Sequence, residues 1–394
     1  MYDVIVIGAG IAGNYTAAEL ARLGHSVAVL EKNPDPGSKS SCTGIISQAC
    51  LDMLPGTRSV IQREARSATI FSPSGDHVRV ERDNTQAYIL DRPALDRMMA
   101  RQARHNGAEY FFSTLAAGLR TDERCVHVKV TCRSDLLELH SRAVVIACGT
   151  AANLTRQMGM GDISEFAQGA QTEVACQTID EVEVYSGRHI APGFFAWLVP
   201  TVPGQAKAGL LCNRNPGPFI NEFLKLLERQ GKILPFSHHI DFGVIPLRPL
   251  ARTYTDRIIV VGDAAGQAKP TTGGGIYFSL ICSGMAIRTL DESLKLNDLS
   301  ARRLSLYQKR WHKILKRELN IDYWAHRFYQ GLTDKQAEHI FHVIQRHGIH
   351  ESLLSSPDIT FDWHGKVILD AIRHRSLQRS LEKLKMSLPA GSTG

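Results

Sequence analysis

The first 31 residues place a glycine-rich turn between a buried strand and a helix, and this pattern restricts the fold more than any other feature of the chain. Residues 2–7 form a β-branched apolar run, typical of a parallel strand that is covered on both faces. The turn GAGIAG occupies residues 8–13, and a helical pattern continues to about Leu23 before a second strand over Val27–Leu30. This order predicts a doubly wound α/β unit that binds a dinucleotide.

Each glycine of the turn has its own physical task. Gly8 allows the tight turn, Gly10 lets a pyrophosphate approach the backbone, and Gly13 lets the helix pack closely on the strand. We expect Ala12 to line the same site, because the helix N-terminus holds the phosphates. Glu31 ends the second strand, where its carboxylate can accept hydrogen bonds from both hydroxyls of a ribose. The pattern favours FAD or NAD over NADP, and a glycine-rich turn of some other α/β unit is the alternative.

A second glycine-rich segment follows another buried strand late in the chain. Residues 257–261 (RIIVV) run into GDAAG at 262–266, and a loop then leads to a triple glycine that opens a long apolar helix. Asp263 lies at the end of the strand, where it can bind a sugar-like chain of hydroxyls, although a helix N-cap followed by a flexible turn is the alternative. The amides at the start of the helix suit an anionic ring, and they belong to Gly274, Gly275 and Ile276.

With these two motifs about 230 residues apart, the chain resembles the FAD-dependent oxidoreductases of the para-hydroxybenzoate hydroxylase type. Within that group, PTTGGGI at 270–276 is similar to the geranylgeranyl reductases, including the archaeal digeranylgeranylglycerophospholipid reductases. The motif PxxYxWxFP of that family is matched by PGFFAWLVP at 192–200, with Phe195 in place of the Tyr and Val199 in place of the Phe. The Cys-x-Gly loop of the family is matched at 42–44.

The resemblance implies a set of contacts with cofactor and substrate. By their positions in the family motifs, Asp263 contacts the flavin ribityl chain, Arg92 contacts FAD at a helix start, and Cys42 lies beside the flavin as the candidate catalytic residue. The other FAD contacts implied in this way are Thr43, Gly44 and Leu115. The implied apolar substrate channel, which loses a tyrosine hydroxyl in this chain, involves Pro192, Phe195, Trp197, Val199 and Pro200.

The function implied by the resemblance is the FAD-dependent hydrogenation of C=C bonds in geranylgeranyl (polyprenyl) chains of membrane lipids. Flavin would deliver a hydride, and a proton would be delivered beside it in a dry apolar channel. The sequence has no second GxGxxG, so no separate nicotinamide domain is expected. The electron donor would be either NAD(P)H, docking transiently, or reduced ferredoxin. The alternatives are a flavin monooxygenase or halogenase, since FAWLVP is similar to the WxWxIP strand of halogenases, and a non-catalytic prenyl-binding escort protein.

The fold class that follows is α/β (α+β overall), with a Rossmann-like FAD-binding domain, an inserted antiparallel substrate-binding sheet and a C-terminal helical cap. The FAD-binding domain is predicted over 1–67, 86–165 and 250–300, the substrate domain over 68–85 and 166–249, a basic helical region over 301–386 and a disordered tail over 387–394. The helices predicted in the basic region are Ala301–Asn320, Tyr323–Gln330, Lys335–His347 and Gly365–Met386.

Strand periodicity gives a further expectation for the aromatic motif. If 194–199 is one strand, Phe195 and Trp197 share a face and Phe194 lies on the opposite one. We expect Phe195 and Trp197 to line the substrate channel, although core aromatics of the sheet are the alternative.

The charge of the chain is concentrated in its last quarter. Residues 301–394 hold 16 Lys and Arg against 9 Asp and Glu, and so carry the whole net charge of +7. Such an excess suits either an ordinary solvated helical cap or a patch that binds an anionic membrane surface. With an apolar opening run and no secretory leader, the chain is predicted to be cytoplasmic, at the inner face of the cell membrane.

Other ligand classes are not expected. The eight cysteines form no CxxC pair, and neither HxxxH spacing nor a Cys/His cluster indicates a metal site. Basic residues are not interleaved with aromatic residues in the way that nucleic-acid binding requires. We therefore predict that the protein binds neither metal nor nucleic acid.

Overall fold

The computed structural model describes residues 1–38, 42–132, 135–150, 153–177, 179–235, 239–356 and 360–383. The tail predicted over 387–394 lies outside the described residues. Among the described residues, no helix combines the length and the apolar composition that crossing a membrane would need.

The described residues form 18 strands. They are β1 Tyr2–Ile7, β2 Val27–Leu30, β3 Ile45–Ile46, β4 Ile61–Ala65, β5 Ser67–Phe71, β6 His77–Glu81, β7 Ala87–Leu90, β8 Glu109–Phe111, β9 Thr114–Thr121, β10 Val126–Cys132, β11 Asp135–Ile146, β12 Phe166–Ala175, β13 Val182–Tyr185, β14 Ala196–Pro200, β15 Gln205–Cys212, β16 Asp241–Pro246, β17 Tyr254–Thr255 and β18 Ile258–Val260.

The same residues form 11 α-helices. They are α1 Ile11–Arg22, α2 Gln48–Asp52, α3 Arg92–His105, α4 Asn153–Gln157, α5 Gly217–Arg229, α6 Ile276–Lys295, α7 Ala301–Gly331, α8 Asp334–Arg346, α9 Ile349–Leu354, α10 Gly365–Arg373 and α11 Arg375–Lys383.

The first sheet has the strand order β17-β18-β11-β1-β2-β8, and the five strands from β18 to β8 run parallel. Alternate residues of β1 face opposite layers: Val4 packs in a core with α1, α6 and α7, whereas Ile5 packs with the antiparallel strands β9, β10 and β11. Because parallel strands end at the same edge, the carboxyl ends of β1, β2 and β18 lie together. This edge positions both glycine motifs.

The second sheet has the order β16-β12-β15-β14-β13-β5-β6, in which only the β13–β5 pair is parallel. Helix α5 covers one face through Phe223, Leu224 and Leu227. A third sheet, β3-β7-β4, lies between the two glycine motifs in sequence. The architecture confirms the predicted α/β class. The predicted domain boundaries stay a proposal.

Three sequence predictions about local structure are wrong. One continuous helix, α7, replaces the predicted helices 301–320 and 323–330, because a buried stripe through Leu315, Leu319 and Asp322 continues without a helix breaker. The single helix predicted from Gly365 divides into α10 and α11 at His374, whose backbone is extended.

The third wrong prediction concerns the aromatic motif. Strand β14 begins only at Ala196, so strand alternation does not extend back to Phe194. Phe194 consequently packs in the same cluster as Trp197, instead of on the opposite side of the sheet.

Candidate active site

The GAGIAG turn has the shape that its glycines predict. Gly8 has φ +105°, and a Cβ on Gly13 would lie 1.9 Å from the carbonyl oxygen of Gly8, so only glycine allows this contact between turn and helix. A Cβ on Gly10, by contrast, would meet no described atom within 4 Å. Gly10 also begins α1 without a side-chain cap, which leaves backbone N–H groups of the first helical turn open to an anion.

Glu31 lies beside this turn at the end of β2 and is buried. Its Oε2 accepts a hydrogen bond of 2.8 Å from the backbone N–H of Ala9, and its Oε1 accepts one of 2.9 Å from the N–H of Asn33. The N–H of Thr114 donates to the backbone oxygen of Glu31. The next residue, Leu115, therefore has its backbone near Glu31 while its side chain is exposed.

The second motif adjoins the first. A Cβ on Gly262 would lie 3.1 Å from the Cβ of Ala12, so the two turns are in van der Waals contact. Asp263 follows β18 in a short 3-10 turn, and desolvation raises the pKa of its carboxyl. A Cβ on Gly275 would lie 3.0 Å from Oδ1 of Asp263, which places this carboxylate at the N-terminus of α6.

The loop over 267–275 connects the second motif to the second sheet. A Cβ on Gly273 would lie 2.6 Å from Cδ1 of Ile245 and 2.8 Å from Cδ1 of Leu211. The side chain of Trp197 packs with the same apolar cluster, and its indole Nε1 is buried without a hydrogen-bond partner among the described residues. We call this face, formed by Trp197, Leu211 and Ile245, the apolar wall.

The predicted substrate residues divide between this face and other positions. Phe195 lies near Trp197, with ring centroids 6.0 Å apart, and Val199 has the same strand parity as Trp197. Pro200 has the opposite parity, and Pro192 lies before the strand, with its carbonyl oxygen accepting from the N–H of Asn213. The structure thus brings Phe195 and Trp197 together and places Val199 on the Trp197 face of β14, whereas Pro200 lies on the opposite face and Pro192 precedes the strand.

The loop of residues 42–44 lies between the second sheet and strand β7. Lys207 on β15 is buried and donates to the carbonyl oxygens of Cys42, at 3.4 Å, and Thr43, at 3.3 Å. The Thr43 hydroxyl donates to Oε1 of Gln171 on β12 at 2.7 Å. On its other side, Gly44 has φ +83° and approaches the carbonyl oxygen of Leu90 so closely that a Cβ would lie 2.5 Å away.

Arg92 at the start of α3 completes this group. Its guanidinium pairs with the buried carboxylate of Asp96 at 3.2 Å. Although burial alone would lower the pKa of Arg92, Asp96 and the nearby Cys42 thiol keep that pKa above its ordinary value. Its Nε is buried and has no hydrogen-bond partner among the described residues.

Several buried ionisable residues near these loops were not found by sequence reasoning. Lys207 and Lys269 are buried, and desolvation lowers the pKa of both. Asp322 on α7 is fully buried, and neither carboxylate oxygen has a hydrogen-bond partner among the described residues. Burial and the nearby Glu318 raise the pKa of Asp322 to about 7.

His326 lies one helical turn after Asp322 and connects α7 to the aromatic motif. Its ring stacks on Phe194 at a centroid distance of 4.2 Å, and burial lowers its pKa to about 4. The sequence does carry a signal for these two residues. Asp322 and His326 continue the spacing of Leu315 and Leu319 at 3- and 4-residue intervals, which places all four on one face of the helix.

Comparisons with known proteins identify the family. The model of the family described as FAD dependent oxidoreductase (DAO) matches residues 3–71. Digeranylgeranylglycerophospholipid reductase 2 of Methanothermobacter thermautotrophicus is 31% identical over 359 residues, which cover 87% of this chain and 92% of that protein. The chain belongs to the geranylgeranyl reductase family. A digeranylgeranylglycerophospholipid reductase of Methanocaldococcus jannaschii is 29% identical over 353 residues, 86% of this chain and 88% of that protein.

Solved structures support the fold of this reductase. A geranylgeranyl bacteriochlorophyll reductase-like protein from Thermoplasma acidophilum aligns with a TM-score of 0.84 and 22% identity, covering 98% of each chain. The flavin-dependent brominase Bmp2 aligns with a TM-score of 0.68 and 16% identity, covering 98% of this chain and 99% of its own. The halogenases share the fold at lower similarity, and family membership confirms the predicted oxidoreductase class.

FAD is the cofactor of this reductase, and the chain's residues fit it. The open space at Gly10 suits a pyrophosphate, and Asp263 at the start of α6 suits the hydroxyls of a ribityl chain. The unpartnered Nε of Arg92 is a buried donor that a bound group can satisfy. The contacts of individual residues with FAD stay predictions.

Proposed function

We propose that this reductase hydrogenates the C=C bonds of geranylgeranyl chains carried by membrane lipids. The observation that carries the proposal is the apolar wall, which meets the 267–275 loop directly at Gly273. An apolar surface beside the flavin-binding loop suits an unfunctionalised hydrocarbon chain, because burial of such a chain is favourable without polar partners. The curated relatives act, by their names, on digeranylgeranylglycerophospholipids.

An isolated prenyl double bond is unpolarised, so its reduction needs a hydride at one carbon and a proton at the other. When bound and reduced by the electron donor, the flavin would supply the hydride and return to its oxidised form. We assign to Gly10, Arg92 and Asp263 the task of holding the cofactor, and to the apolar wall that of excluding water from the reacting carbons. Exclusion of water protects the cationic character that develops when the proton arrives.

The chain must also hold a proton near the reacting carbons. Cys42, or a water beside it, is our candidate for this step, because its loop is fixed by Lys207 and lies against Arg92. Asp322 is a second candidate, since its pKa of about 7 leaves the carboxyl partly protonated near neutral pH.

The direct test is anaerobic incubation of the dithionite-reduced holoenzyme with a geranylgeranylated glycerophospholipid, followed by mass spectrometry of the lipid. We expect stepwise gains of two hydrogens. An unchanged lipid in the presence of a full complement of flavin would refute the proposal. A parallel aerobic reaction with NAD(P)H tests the alternatives, because a monooxygenase or halogenase would add oxygen or halogen to its product.

The electron donor is proposed to be NAD(P)H, docking transiently, or a reduced ferredoxin. Anaerobic stopped-flow reduction of the bound flavin by each donor distinguishes the two, since the physiological donor should bleach the flavin absorbance at a rate at least equal to turnover.

We further propose that the protein binds peripherally to the inner face of the cell membrane. Exposed basic side chains follow one side of α7, where the exposed Ile314 lies among them. They are Arg302, Lys309, Lys313, Lys316 and Arg317. Anionic lipid attracts each such residue by about 1 kcal/mol, and a lipid substrate has to be taken from the bilayer.

A further inference from the structure

Five potential metal ligands meet at one end of the antiparallel strands β9, β10 and β11, on the side of the first sheet away from α1, α6 and α7. They are Asp122, Cys125, His127, Glu138 and His140. We infer that the turn between β9 and β10 binds a divalent transition-metal ion of the zinc class through Asp122, Cys125 and His127.

The three proposed ligand atoms already lie close together. Sγ of Cys125 is 3.6 Å from Nε2 of His127, and Oδ2 of Asp122 is 2.7 Å from the same nitrogen. Tetrahedral zinc with Zn–S of about 2.3 Å and Zn–N of about 2.0 Å separates sulfur from nitrogen by about 3.6 Å. The separation of the cysteine and histidine ligand atoms therefore already matches that of a zinc site, and the half-exposed Asp122 carboxylate has to withdraw from Nε2 by less than about 1 Å.

The turn holds Asp122 in a suitable orientation. Its Oδ1 accepts hydrogen bonds of 2.8 Å from the backbone N–H groups of Arg124 and Cys125, which leaves Oδ2 directed at His127. Arg257 supports the turn from the neighbouring strand edge, because its Nε donates to the carbonyl oxygen of Asp122 at 3.2 Å. The backbone of the site is thus fixed without a metal.

Glu138 and His140 then have the role of an outer shell. Nδ1 of His127 lies 3.0 Å from Oε1 of Glu138, and Nε2 of His140 lies 2.8 Å from the same oxygen. A histidine that binds zinc through one nitrogen usually donates its other N–H to a carboxylate, which fixes the ring orientation. His127 has this arrangement across the β10–β11 pair, in which His127 and His140 are directly opposite.

The charges balance when the ion binds. In the metal-free protein, His127 contacts a carboxylate at each ring nitrogen, Asp122 at Nε2 and Glu138 at Nδ1. Metal binding would displace the proton from Nε2 and the thiol proton from Cys125, and both are released to solvent. The resulting thiolate and the Asp122 carboxylate neutralise the dication, and solvent takes the fourth tetrahedral position.

The sequence prediction of no metal site relied on the absence of CxxC and HxxxH spacings. Those spacings bring ligands together in a turn or on a helix. On a strand, ligands come together when they are two residues apart, because such residues share a face. Cys125 and His127 flank the first residue of β10 in this way.

A second surface cluster, formed by Asp76, Glu338 and His342, provides the matched control. It has no thiolate, and Glu338 is committed to Ser72 and Ser74 through hydrogen bonds of 2.9 and 2.8 Å. We assign this cluster to joining the β5–β6 turn to α8.

The test is a calorimetric titration of tag-free, chelator-treated holoenzyme with ZnCl2, together with Co²⁺ absorption spectra as a report of thiolate ligation. We expect one ion per chain, and Glu138→Gln should weaken binding by about 10- to 100-fold. Cys125→Ser and His127→Ala should weaken it further, while His342→Ala leaves the dissociation constant within about twofold and flavin content is unchanged in every variant.

Three results would overturn the inference. They are the absence of stoichiometric binding by the wild-type holoenzyme, undiminished binding by Cys125→Ser, and loss of binding in His342→Ala. None of these measurements depends on lipid reduction.

Discussion

The buried ammonium of Lys207 on β15 donates to the carbonyl oxygen of Thr43 at 3.3 Å, and so joins the second sheet to the loop that carries Cys42. Burial lowers the pKa of Lys207, because desolvation disfavours the ammonium, and the two carbonyl contacts with the loop oppose that cost. We therefore assign Lys207 a positioning role.

Replacing Lys207 should loosen this loop while leaving the fold in place. In Lys207→Met the aliphatic volume is kept and two charge-assisted hydrogen bonds are lost, each worth about 1.5–3 kcal/mol. We expect kcat for lipid reduction to fall by about 10- to 100-fold, with a smaller change in FAD affinity. The exposed Lys225→Met is the control, and equal kcat values for the two variants would contradict the role of Lys207.

Cys42→Ala tests the proposed proton step. The variant should bind FAD stoichiometrically and accept electrons, but reduce the lipid at least about 10-fold more slowly, because a positioned proton donor contributes about 10²–10⁴-fold. Single-turnover oxidation of the reduced flavin by lipid measures the step directly. A wild-type rate in Cys42→Ala would exclude the thiol, and Cys132→Ser, in a thiol on β10 outside the predicted site, controls for the loss of a cysteine.

The proposed phosphate site at Gly10 offers a test that separates folding from cofactor binding. Gly10→Ala should fold normally, because its Cβ meets no described atom within 4 Å and its φ is −78°, but should lose most of its FAD affinity. Gly13→Ala should fail to fold, since its Cβ would lie 1.9 Å from the Gly8 carbonyl oxygen.

Gly284→Ala in α6 is the matched control for both glycine variants. Its Cβ would also have open space, and alanine should stabilise the helix by up to about 1 kcal/mol. Flavin absorbance and thermal unfolding of the three proteins check these outcomes. Full FAD binding by Gly10→Ala would show that the pyrophosphate does not approach this residue.

Local and non-local parts of the site differ in how well sequence predicts them. The arrangement from Gly8 to Glu31 could be predicted because one strand, one turn and one helix fix it within a few tens of residues. The contact of Lys207 with Thr43 joins residues 164 positions apart, and no periodicity encodes the packing of two sheets. Asp322 was missed for the same reason, because its burial depends on the length of α7 and on the loop that α7 covers.

Neutralising the basic side of α7 should weaken membrane binding. A variant with glutamine at Arg302, Lys309, Lys313 and Lys316 loses about 1 kcal/mol of attraction per residue, which corresponds to a fall in affinity for anionic vesicles of about 100-fold or more. Cosedimentation with phosphatidylglycerol and phosphatidylcholine vesicles measures it. The control variant has glutamine at four exposed basic residues elsewhere, Arg58, Arg101, Arg104 and Lys225, and should lose less affinity for the vesicles. Equal losses in the two variants would show that membrane binding depends on net charge alone.

Asp322 should make stability depend on pH in a direction that is unusual for a carboxyl. Its pKa is about 7 in the folded protein, against an ordinary aspartate value of 3.8 in the unfolded chain, so between these pH values the folded state holds a proton that the unfolded state has released. The destabilisation therefore grows with pH above 3.8 and is complete above pH 7, where it amounts to at most about 4 kcal/mol.

Asp322→Asn removes this cost, because asparagine has no proton to lose. The variant should be more stable than the wild type at pH 8–9, and the difference in unfolding free energy should shrink by about 2–3 kcal/mol on going down to pH 5. Urea unfolding at each pH measures it, with Asp83→Asn in the exposed bend after β6 as the control. A difference that stays constant with pH would show that Asp322 is ionised throughout this range, and would remove it from the candidates for the proton donor.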